Sequence, residues 1–559
     1  MPEQRSQTRL VLIDLLLFLL LAGIGFSVFE RKTHGDLWLD EADYAVASLH
    51  SFADNRQDRS DKPDQPELLV RLRHYHAPGT ALILRIAHRY GNAEETLRKP
   101  FVIAGALSVG VVYLCGLCLF GNRREIAAAS AALMILTPAN VRMASHAIPW
   151  SFIILELLLL LLCCLVYIRN RKPAALIWLG TVLGLLFVTS ETVFVAMAAL
   201  FVCAPVAMLP EIRAAINARK ASQSPEDKSA ALLQVRRALT GLAGGSISFV
   251  VVGFALWPAG IKGGCIKMLR HYIEMRHSES FAVNIGAAVY KVAPKWSYLY
   301  WYSHDYLPYF LCYVVGAALT IAMLLAGLKK TCGAKPLADA DLRWFEAPAG
   351  AYVLIVFTAV LLGAAHRAHI IGPEYLAHCL PFLGLCAGFP VYAACRISRP
   401  IGAIIIAAAG LYFMRWHPGR FLPGMDERTQ ISRWNQVCSV LKPRWNQPAG
   451  SNPDRLLLGP QSSTVAYWYL HEVAGIPIHD WQIGQFPIAG PGPAFLAKLR
   501  GGKYRYVVVS SQFEDNVIKA VDERSLAILK RWELVLQSDE KGLGSPRLTV
   551  FCWKPAPPN

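Results

Sequence analysis

The stretch "LVLIDLLLFLLLAGIGFSVF", Leu10–Phe29, decides the class of the fold because it is long and almost wholly apolar. A helix needs roughly 20 apolar residues to cross the hydrocarbon core of a bilayer. Arg5 and Arg9 precede the stretch, and basic residues favour the cytoplasmic end of a span. No small-residue cleavage site of a secretory signal follows it. The sequence therefore predicts an uncleaved first span with the N-terminus in the cytoplasm.

The composition agrees with a membrane protein. The chain has 559 residues, of which 54% are hydrophobic and 17% are charged. A soluble domain has about 25% charged residues, so we predict an α-helical polytopic membrane protein. Lysine and arginine outnumber aspartate and glutamate by 56 to 39, as expected for cytoplasmic loops and contacts with anionic lipids. Nucleic acid binding is disfavoured because no basic helix or known binding motif accompanies the charge.

Further apolar segments bring the prediction to about 11 transmembrane helices of bilayer-crossing length. These segments lie near 100–120, 125–138, 148–168, 174–189, 191–209, 239–258, 306–327, 347–365, 375–394 and 401–415. Basic loops separate alternate spans at 121–125, 169–173, 211–237, 328–335 and 395–400. All of these loops fall in the cytoplasm if the N-terminus does, as the positive-inside rule requires. An odd number of spans places the C-terminus outside.

The composition changes after residue 415, where charged residues, Pro, Gly and interspersed aromatics replace the apolar runs. We therefore predict a transmembrane domain over 1–415, with outer loops at 30–80 and 259–305, and an extracytoplasmic α/β domain over 416–559. The segments "RLLLGP", "KYRYVVVSS", "WELVLQ" and "RLTVFCW" have the character of strands. Helical patterns, "STVAYWYLHEV" and "NVIKAVDERSLAILKRW", lie between them.

Most of the thirteen cysteines lie inside apolar runs, where a free Cys behaves as a small hydrophobic residue. Cys115 and Cys118 have CxxC spacing, but no second pair or His ligand is near in the sequence. We interpret both as helix packing. Cys438 and Cys552 fall outside the predicted spans, and the sequence leaves open whether they pair.

The acidic stretch "GDLWLDEADYA", Gly35–Ala45, follows the first span on the predicted outer face. At helical spacing Asp36 and Asp40 can share one side of a helix. Glu41 lies about 100° round the helix from Asp40, so one of the two acids can face a cavity while the other makes a structural contact. The simpler interpretation is a solvated helix start whose acids are favoured by the helix dipole.

The order of several elements resembles the C-type glycosyltransferase superfamily, and most of all its branch of protein O-mannosyltransferases and the lipid A aminoarabinose transferase. Asp40 and Glu41 match that branch's acidic pair, and His76-Ala77-Pro78 resembles its second element. "TPANVRMASHAIPWSF" resembles the third element, and "GPEYLAHCLPFLGL" resembles a late one more weakly. The chain departs from the pattern at Ile148, Trp150 and Glu374, positions in the third and late elements.

The resemblance implies an inverting hexosyl- or pentosyltransferase that takes its sugar from a polyprenyl-phosphate-linked donor at the outer face of the bacterial cytoplasmic (inner) membrane. Asp40 becomes the candidate general base, and Glu41 an orienting or assisting acid. The candidate ligands of the donor phosphate are His76, His74, Arg85, Arg270 and Arg367. Each of these cations could instead contact headgroups or snorkel to the interface.

Candidate cavity or acceptor residues are Asp36, Tyr44 and Glu156. No cofactor is expected, although His34 with the nearby acids would offer ligands to a divalent metal. Membrane lipids are expected partners, and the acceptor could be a lipid, a protein or a polysaccharide.

Two other classes of function stay open. In a transporter or flippase, Glu156 would be the polar residue at membrane depth, although no repeated halves are visible in the sequence. In a non-catalytic scaffold, the outer domain would bind a partner and Asp40 would have no chemical role. The clustering of acids and cations at the predicted outer surface favours the transferase.

Overall fold

The computed structural model is predominantly helical. It describes residues 2–31, 33, 35–37, 39–49, 77–218, 225–258, 339–367, 377–415, 433–445 and 463–476, short pieces between 260 and 325, and six short strands. The predicted helix over "NVIKAVDERSLAILKRW" lies outside the described residues, except for the residue that begins a strand.

The helices follow the apolar segments of the sequence. They are α1 (Pro2–Glu30), α2 (Leu39–Leu49), α3 (Gly79–Ala87), α4 (Glu94–Leu119), α5 (Arg124–Leu136), α6 (Pro138–Ala144), α7 (Trp150–Asn170), α8 (Pro173–Thr189), α9 (Thr192–Ala207), α10 (Leu209–Ala218), α11 (Pro225–Leu256), α12 (Asp339–Arg367), α13 (Leu380–Ile397), α14 (Arg399–Arg415), α15 (Arg433–Trp445) and α16 (Ser463–Tyr467). A π-helical turn, Trp468–Val473, continues α16.

Within the described residues, four helices are long and apolar enough to cross a membrane: parts of α1 and α11, together with α4 and α7. A fifth span is possible if α9 and α10, bent by 48° at their junction, are counted together. The segments α8, α12, α13 and α14 contain shorter apolar helices. The chain is therefore a multi-pass membrane protein, while the count of about 11 spans stays a prediction.

The chain divides into two compact units. The first contains residues 1–32, 75–80 and 100–421, and the second contains 33–74, 81–99 and 422–559. The predicted division at residue 415 stays a prediction. In the first unit α8 packs closely on α11. The two backbones approach so closely at Gly180 that a Cβ there would collide with the backbone of Gly245. Small residues allow membrane helices this close approach.

The four strands of the second unit lie where the sequence indicated them, whereas the two short strands of the first unit were not predicted. In the second unit β3 (Leu456–Leu458), β4 (Tyr506–Ser510), β5 (Trp532–Gln537) and β6 (Leu548–Trp553) form one sheet in the order β3-β4-β6-β5. β3 is parallel to β4, and the other pairs are antiparallel. In the first unit β1 (Val283–Ile285) and β2 (Ala288–Tyr290) form an antiparallel pair. Helix α15, which the sequence did not predict, stacks Trp445 on Tyr506 of β4.

Candidate active site

The two neighbouring acids of the outer motif lie in the first turn of α2 and have opposite environments. Asp40 is exposed, whereas the side chain of Glu41 is fully buried. The predicted sharing of one helix face by Asp36 and Asp40 is wrong, because α2 begins at Leu39 and Asp36 precedes it. The sequence predicted that one acid faces a cavity while the other makes a structural contact. The structure assigns the structural contact to Glu41, and the cavity beside Asp40 stays a prediction.

Glu41 forms a buried, two-pronged ion pair with Arg98 of α4. Arg98 Nε donates to Glu41 Oε1 at 2.8 Å, and Nη2 donates to Oε2 at 2.7 Å. The Arg98 side chain is 3% exposed, so both charges are withdrawn from solvent. Two parallel hydrogen bonds between a guanidinium and a carboxylate fix the orientation as well as the distance. The ion pair therefore fixes the orientation of the Glu41 side chain on α2.

Arg98 also binds the backbone that leads into α2, residues 33 and 35–37, which we call the lead-in segment. Its remaining N–H groups donate to the carbonyls of Thr33 at 2.6 Å, Gly35 at 3.0 Å and Asp36 at 2.8 Å. A guanidinium has five N–H donors, and Glu41 with these three carbonyls accepts from all of them. Gly35 has a φ of 99°, a conformation open to glycine at little steric cost. The segment is thus bound in a non-helical shape.

Residues of the C-terminal part of the chain contact the same segment. The Trp434 N–H, in the first turn of α15, donates to Asp36 Oδ1 at 3.2 Å. The Leu37 N–H donates to the Tyr469 hydroxyl at 2.9 Å, and that hydroxyl donates to Glu94 Oε1 at 2.8 Å. Asp36, predicted as a cavity or acceptor residue, therefore bonds to the start of a helix, where a carboxylate is favoured.

The predicted phosphate ligands are placed only in part. Arg85 of α3 is half-buried, and its Nε donates to the Ser48 carbonyl near the end of α2 at 2.8 Å. Arg367 ends α12, but its side chain is outside the described structure. His74, His76 and Arg270 also lie outside the described residues. Their roles, like that of the half-buried Tyr44, stay predictions.

Glu156 lies in the apolar span α7 and is 6% exposed. Its Oε1 is 2.8 Å from the Thr189 hydroxyl at the end of α8, and its Oε2 has no hydrogen-bond partner in the structure described. The same Thr189 touches the element after His76, since a Cβ at Gly79 would lie 2.9 Å from the Thr189 Cα. Glu156 thus belongs to a buried polar contact in the first unit.

The third and late elements of the resemblance meet in the structure. Trp150, which stands where the family usually has Tyr, lies at the start of α7. Its ring contacts that of His378 in a tilted arrangement, with ring centroids 4.4 Å apart. His146 Nδ1 lies 2.7 Å from the carbonyl of Arg142. The departure at Trp150 is therefore accommodated by an aromatic neighbour just before α13.

The metal and cysteine hypotheses fare differently. Among the described residues, no three His, Cys, Asp or Glu side chains are arranged to hold a metal; His34 is not described, and the expectation of no cofactor stays a prediction. Cys438 is a free thiol, whose Sγ donates to the carbonyl of Tyr469 at 3.2 Å. Burial raises the pKa of Cys438 to about 12. Of the two cysteines whose pairing the sequence left open, Cys438 is thus unpaired, and the side chain of Cys552 lies outside the described structure.

Sequence reasoning missed Arg98, Glu94, Trp434 and Tyr469. One signal was available for Arg98, in "EETLRKPF", because an arginine at the edge of an apolar span needs a partner or a route to solvent. The sequence contains no comparable signal for Trp434 and Tyr469, since hundreds of residues separate them from the lead-in segment. Such contacts come from tertiary folding alone.

Comparisons with known proteins bear on the family and on the fold. A family described as dolichyl-phosphate-mannose-protein mannosyltransferase matches residues 75–221, a range that begins after Asp40 and includes His76. A search of curated proteins gives no match.

Two crystal structures of ArnT from Cupriavidus metallidurans are similar in fold. The apo state aligns at a TM-score of 0.53 with 13% identity, over 99% of this chain and 98% of that one. The state bound to undecaprenyl phosphate aligns at 0.52 with 12% identity, over 96% and 97%. The family match and the shared fold together confirm the resemblance to the protein O-mannosyltransferase and aminoarabinose transferase branch of the C-type glycosyltransferase superfamily.

Proposed function

We propose that the protein transfers a sugar from a polyprenyl-phosphate-linked donor to an acceptor hydroxyl, with Asp40 as the general base. The observation on which this rests is the contrast within one dipeptide. Glu41 is buried and bound by Arg98, while Asp40, the residue directly before it, is exposed in the same helical turn. Glu41 and Arg98 therefore fix the helix, and Asp40 is left accessible to an incoming substrate.

The chemistry needs a carboxylate at this place. An acceptor hydroxyl is a weak nucleophile until a base removes its proton during attack, and the base must come within about 3 Å of that proton's oxygen. Attack on the anomeric carbon proceeds through an oxocarbenium-like state, which a nearby negative charge stabilises. Attack opposite the leaving phosphate inverts the anomeric configuration. In this scheme Asp40 takes the proton, and Glu41 acts as a positioning residue.

The proposed donor is a sugar linked to a polyprenyl phosphate, so the leaving group is a lipid phosphate. One of the ArnT structures is bound to undecaprenyl phosphate, and the matching family is described by a dolichyl-phosphate-linked mannose. A lipid phosphate that leaves with developing negative charge needs cationic partners. We assign this task to His76 and His74 with Arg85, and to Arg270 and Arg367 from later loops. A hexose and a pentose both fit the proposal.

The same proposal fixes the orientation in the membrane. With the N-terminus in the cytoplasm, the basic loops stay inside, and α2 and the C-terminal sheet face the extracytoplasmic side of a bacterial inner membrane. Eleven spans would be consistent with this topology, and the C-terminal α/β domain would then lie outside near the acceptor. The transporter alternative is not favoured by the comparisons.

The direct test replaces the proposed base in cells that lack the native gene. Asp40→Asn keeps the shape of the side chain and removes its basicity, so transfer should fall by about 10²-fold or more. Glu125→Gln is the matched control, because Glu125 is an exposed acid that pairs only loosely with Arg123 at 3.5 Å. The readout is the mass difference on extracted glycolipids, glycoproteins and polysaccharides, normalised to the amount of folded protein.

Unchanged glycan masses with Asp40→Asn would refute the proposal. A loss with Glu156→Gln but not with Asp40→Asn would point to transport instead. An equal loss with Asp40→Asn and Glu125→Gln would mean that any lost surface acid harms the protein, and this too would contradict a specific base.

A further inference from the structure

The lead-in segment, residues 33 and 35–37, is bound from two sides. Arg98 takes three of its carbonyls, as described above. The C-terminal part of the chain takes the Asp36 carboxylate and the Leu37 amide. Leu37 is three residues before Asp40, so a shift of this amide moves the first turn of α2. The position of Asp40 therefore depends on residues from the far end of the sequence.

The Tyr469 hydroxyl is the central atom of the second contact. It accepts from the Leu37 N–H at 2.9 Å and donates to Glu94 Oε1 at 2.8 Å. Burial, with Asp36 and Glu94 nearby, raises the pKa of Tyr469 well above its usual range. The hydroxyl keeps its proton at physiological pH, and both hydrogen bonds persist because a phenol can donate one bond while it accepts another.

Tyr469 is itself held firmly. Its side chain is 1% exposed, and its ring stacks on Trp434 with centroids 6.3 Å apart and planes within 8°. The Trp434 N–H binds Asp36, and Asn435 Nδ2 donates to Glu94 Oε1 at 3.0 Å. These contacts close a ring from Asp36 through Trp434 and Tyr469 back to Leu37. A ring with few free torsions holds its members in one geometry.

We propose that Tyr469 is a positioning residue of the transfer reaction, which fixes Asp40 through the Leu37 amide. This inference rests on the proposed function of Asp40 as the base. It gives the C-terminal α/β part a role in the chemical step, beyond any role in choosing the acceptor. Base catalysis is sensitive to such placement, because a misplacement of about 1 Å can cost 10²-fold in rate.

The test compares two tyrosine-to-phenylalanine changes in the full-length protein. Tyr469→Phe removes both bonds to the lead-in segment and Glu94. Tyr506→Phe is the matched control, since it removes another tyrosine hydroxyl of the same unit, one that donates to the Arg444 carbonyl of α15 at 3.2 Å. We expect Tyr469→Phe to lower kcat by about 10- to 100-fold with the donor KM nearly unchanged. Tyr506→Phe should leave both constants close to those of the native protein.

Glu94→Ala keeps the inference testable if Tyr469→Phe folds poorly, and a double variant sharpens the test if it folds well. Glu94→Ala removes the half-buried carboxylate that accepts the hydrogen bond of the Tyr469 hydroxyl. We expect it to lower kcat less than Tyr469→Phe does, because the bond to the Leu37 amide is kept. In an Asp40→Asn background, Tyr469→Phe should cause no further loss, because residues that act through one group are not additive.

The outcomes separate the two proposals. If Asp40→Asn leaves transfer intact, the proposed function fails and the inference with it. If Asp40→Asn removes transfer while Tyr469→Phe behaves like Tyr506→Phe, the positioning role alone is overturned. A further drop when Tyr469→Phe is added to Asp40→Asn would also overturn it, since Tyr469 would then act independently of Asp40.

Discussion

Two buried glutamates in the two units of the chain are held in different ways. Glu41 gives both carboxylate oxygens to one guanidinium, which is itself saturated with acceptors. Glu156 has a hydroxyl, that of Thr189, on one oxygen and no partner for the other in the described structure. The first is a complete ion pair beside an exposed acid, whereas the second is a sparsely bonded acid in an apolar span.

This difference in hydrogen bonding separates acids with a structural role from acids that remain able to react with a substrate. A buried charge is tolerated when it is paired and its remaining hydrogen bonds are made. Glu41 meets this condition and is fully buried, so the exposed Asp40 is the better candidate for the proposed base. The predictions below test this contrast by removing one partner at a time, in order of expected effect.

The largest effect is expected for Arg98→Met. It leaves Glu41 buried without its counter-charge and frees the carbonyls of Thr33, Gly35 and Asp36. Removal of one partner of a buried ion pair costs about 3–5 kcal/mol, so thermal unfolding in detergent should shift to a clearly lower temperature. The double variant Arg98→Met, Glu41→Met should recover part of the loss. If the double variant is as unstable as the single one, the ion pair is not the cause.

A smaller effect is expected for Thr189→Val. This change takes the hydroxyl away from Glu156 Oε1 at nearly constant shape and leaves the acid with one bond fewer. A buried polar group without a partner costs about 1–3 kcal/mol, measurable by denaturant titration of the purified protein. Adding Glu156→Leu should then restore stability, because both partners are apolar. Further destabilisation in the double variant would show that Glu156 has a partner beyond Thr189.

A loss of stability of similar size is expected at Gly79, where two backbone segments lie close together. A Cβ there would lie 2.8 Å from the Val188 carbonyl oxygen and 2.9 Å from the Thr189 Cα. Gly79→Ala should therefore cost about 1–3 kcal/mol through overpacking, seen as a lower unfolding temperature. The matched control is Gly23→Ala in α1, which has nothing within 4 Å and should be neutral or slightly stabilising. Equal effects of the two changes would contradict the packing explanation.

The smallest effect is expected for Gly35→Ala in the lead-in segment. The φ of 99° at Gly35 disfavours any residue with a Cβ, and the strain is on the order of 1–2 kcal/mol. Because the strain acts next to α2, activity should fall more than stability does. Transfer rate and unfolding temperature measured on one preparation separate the two. A stability loss with full activity would mean that the segment does not position Asp40.

Much of the secondary structure could be predicted from the sequence. Apolar runs of span length became helices such as α1, α4 and α7, and "WELVLQ" is strand β5 to the residue. The lead-in segment could not be predicted, because its shape is set by Arg98 and Tyr469 and not by local spacing. A helix extended back to Asp36 would have kept the periodicity, but it would have lost five hydrogen bonds to residues 33–37.

Sequence alone determined that this is a multi-pass membrane protein with an acidic pair after its first span, because hydrophobic length and residue order are local properties. Only the tertiary structure decided that Glu41 is the bound acid and Asp40 the exposed one. Two neighbouring residues on a helix point about 100° apart, and their identities do not determine which of the two side chains faces Arg98. That choice depends on where α4 and the C-terminal residues lie against α2.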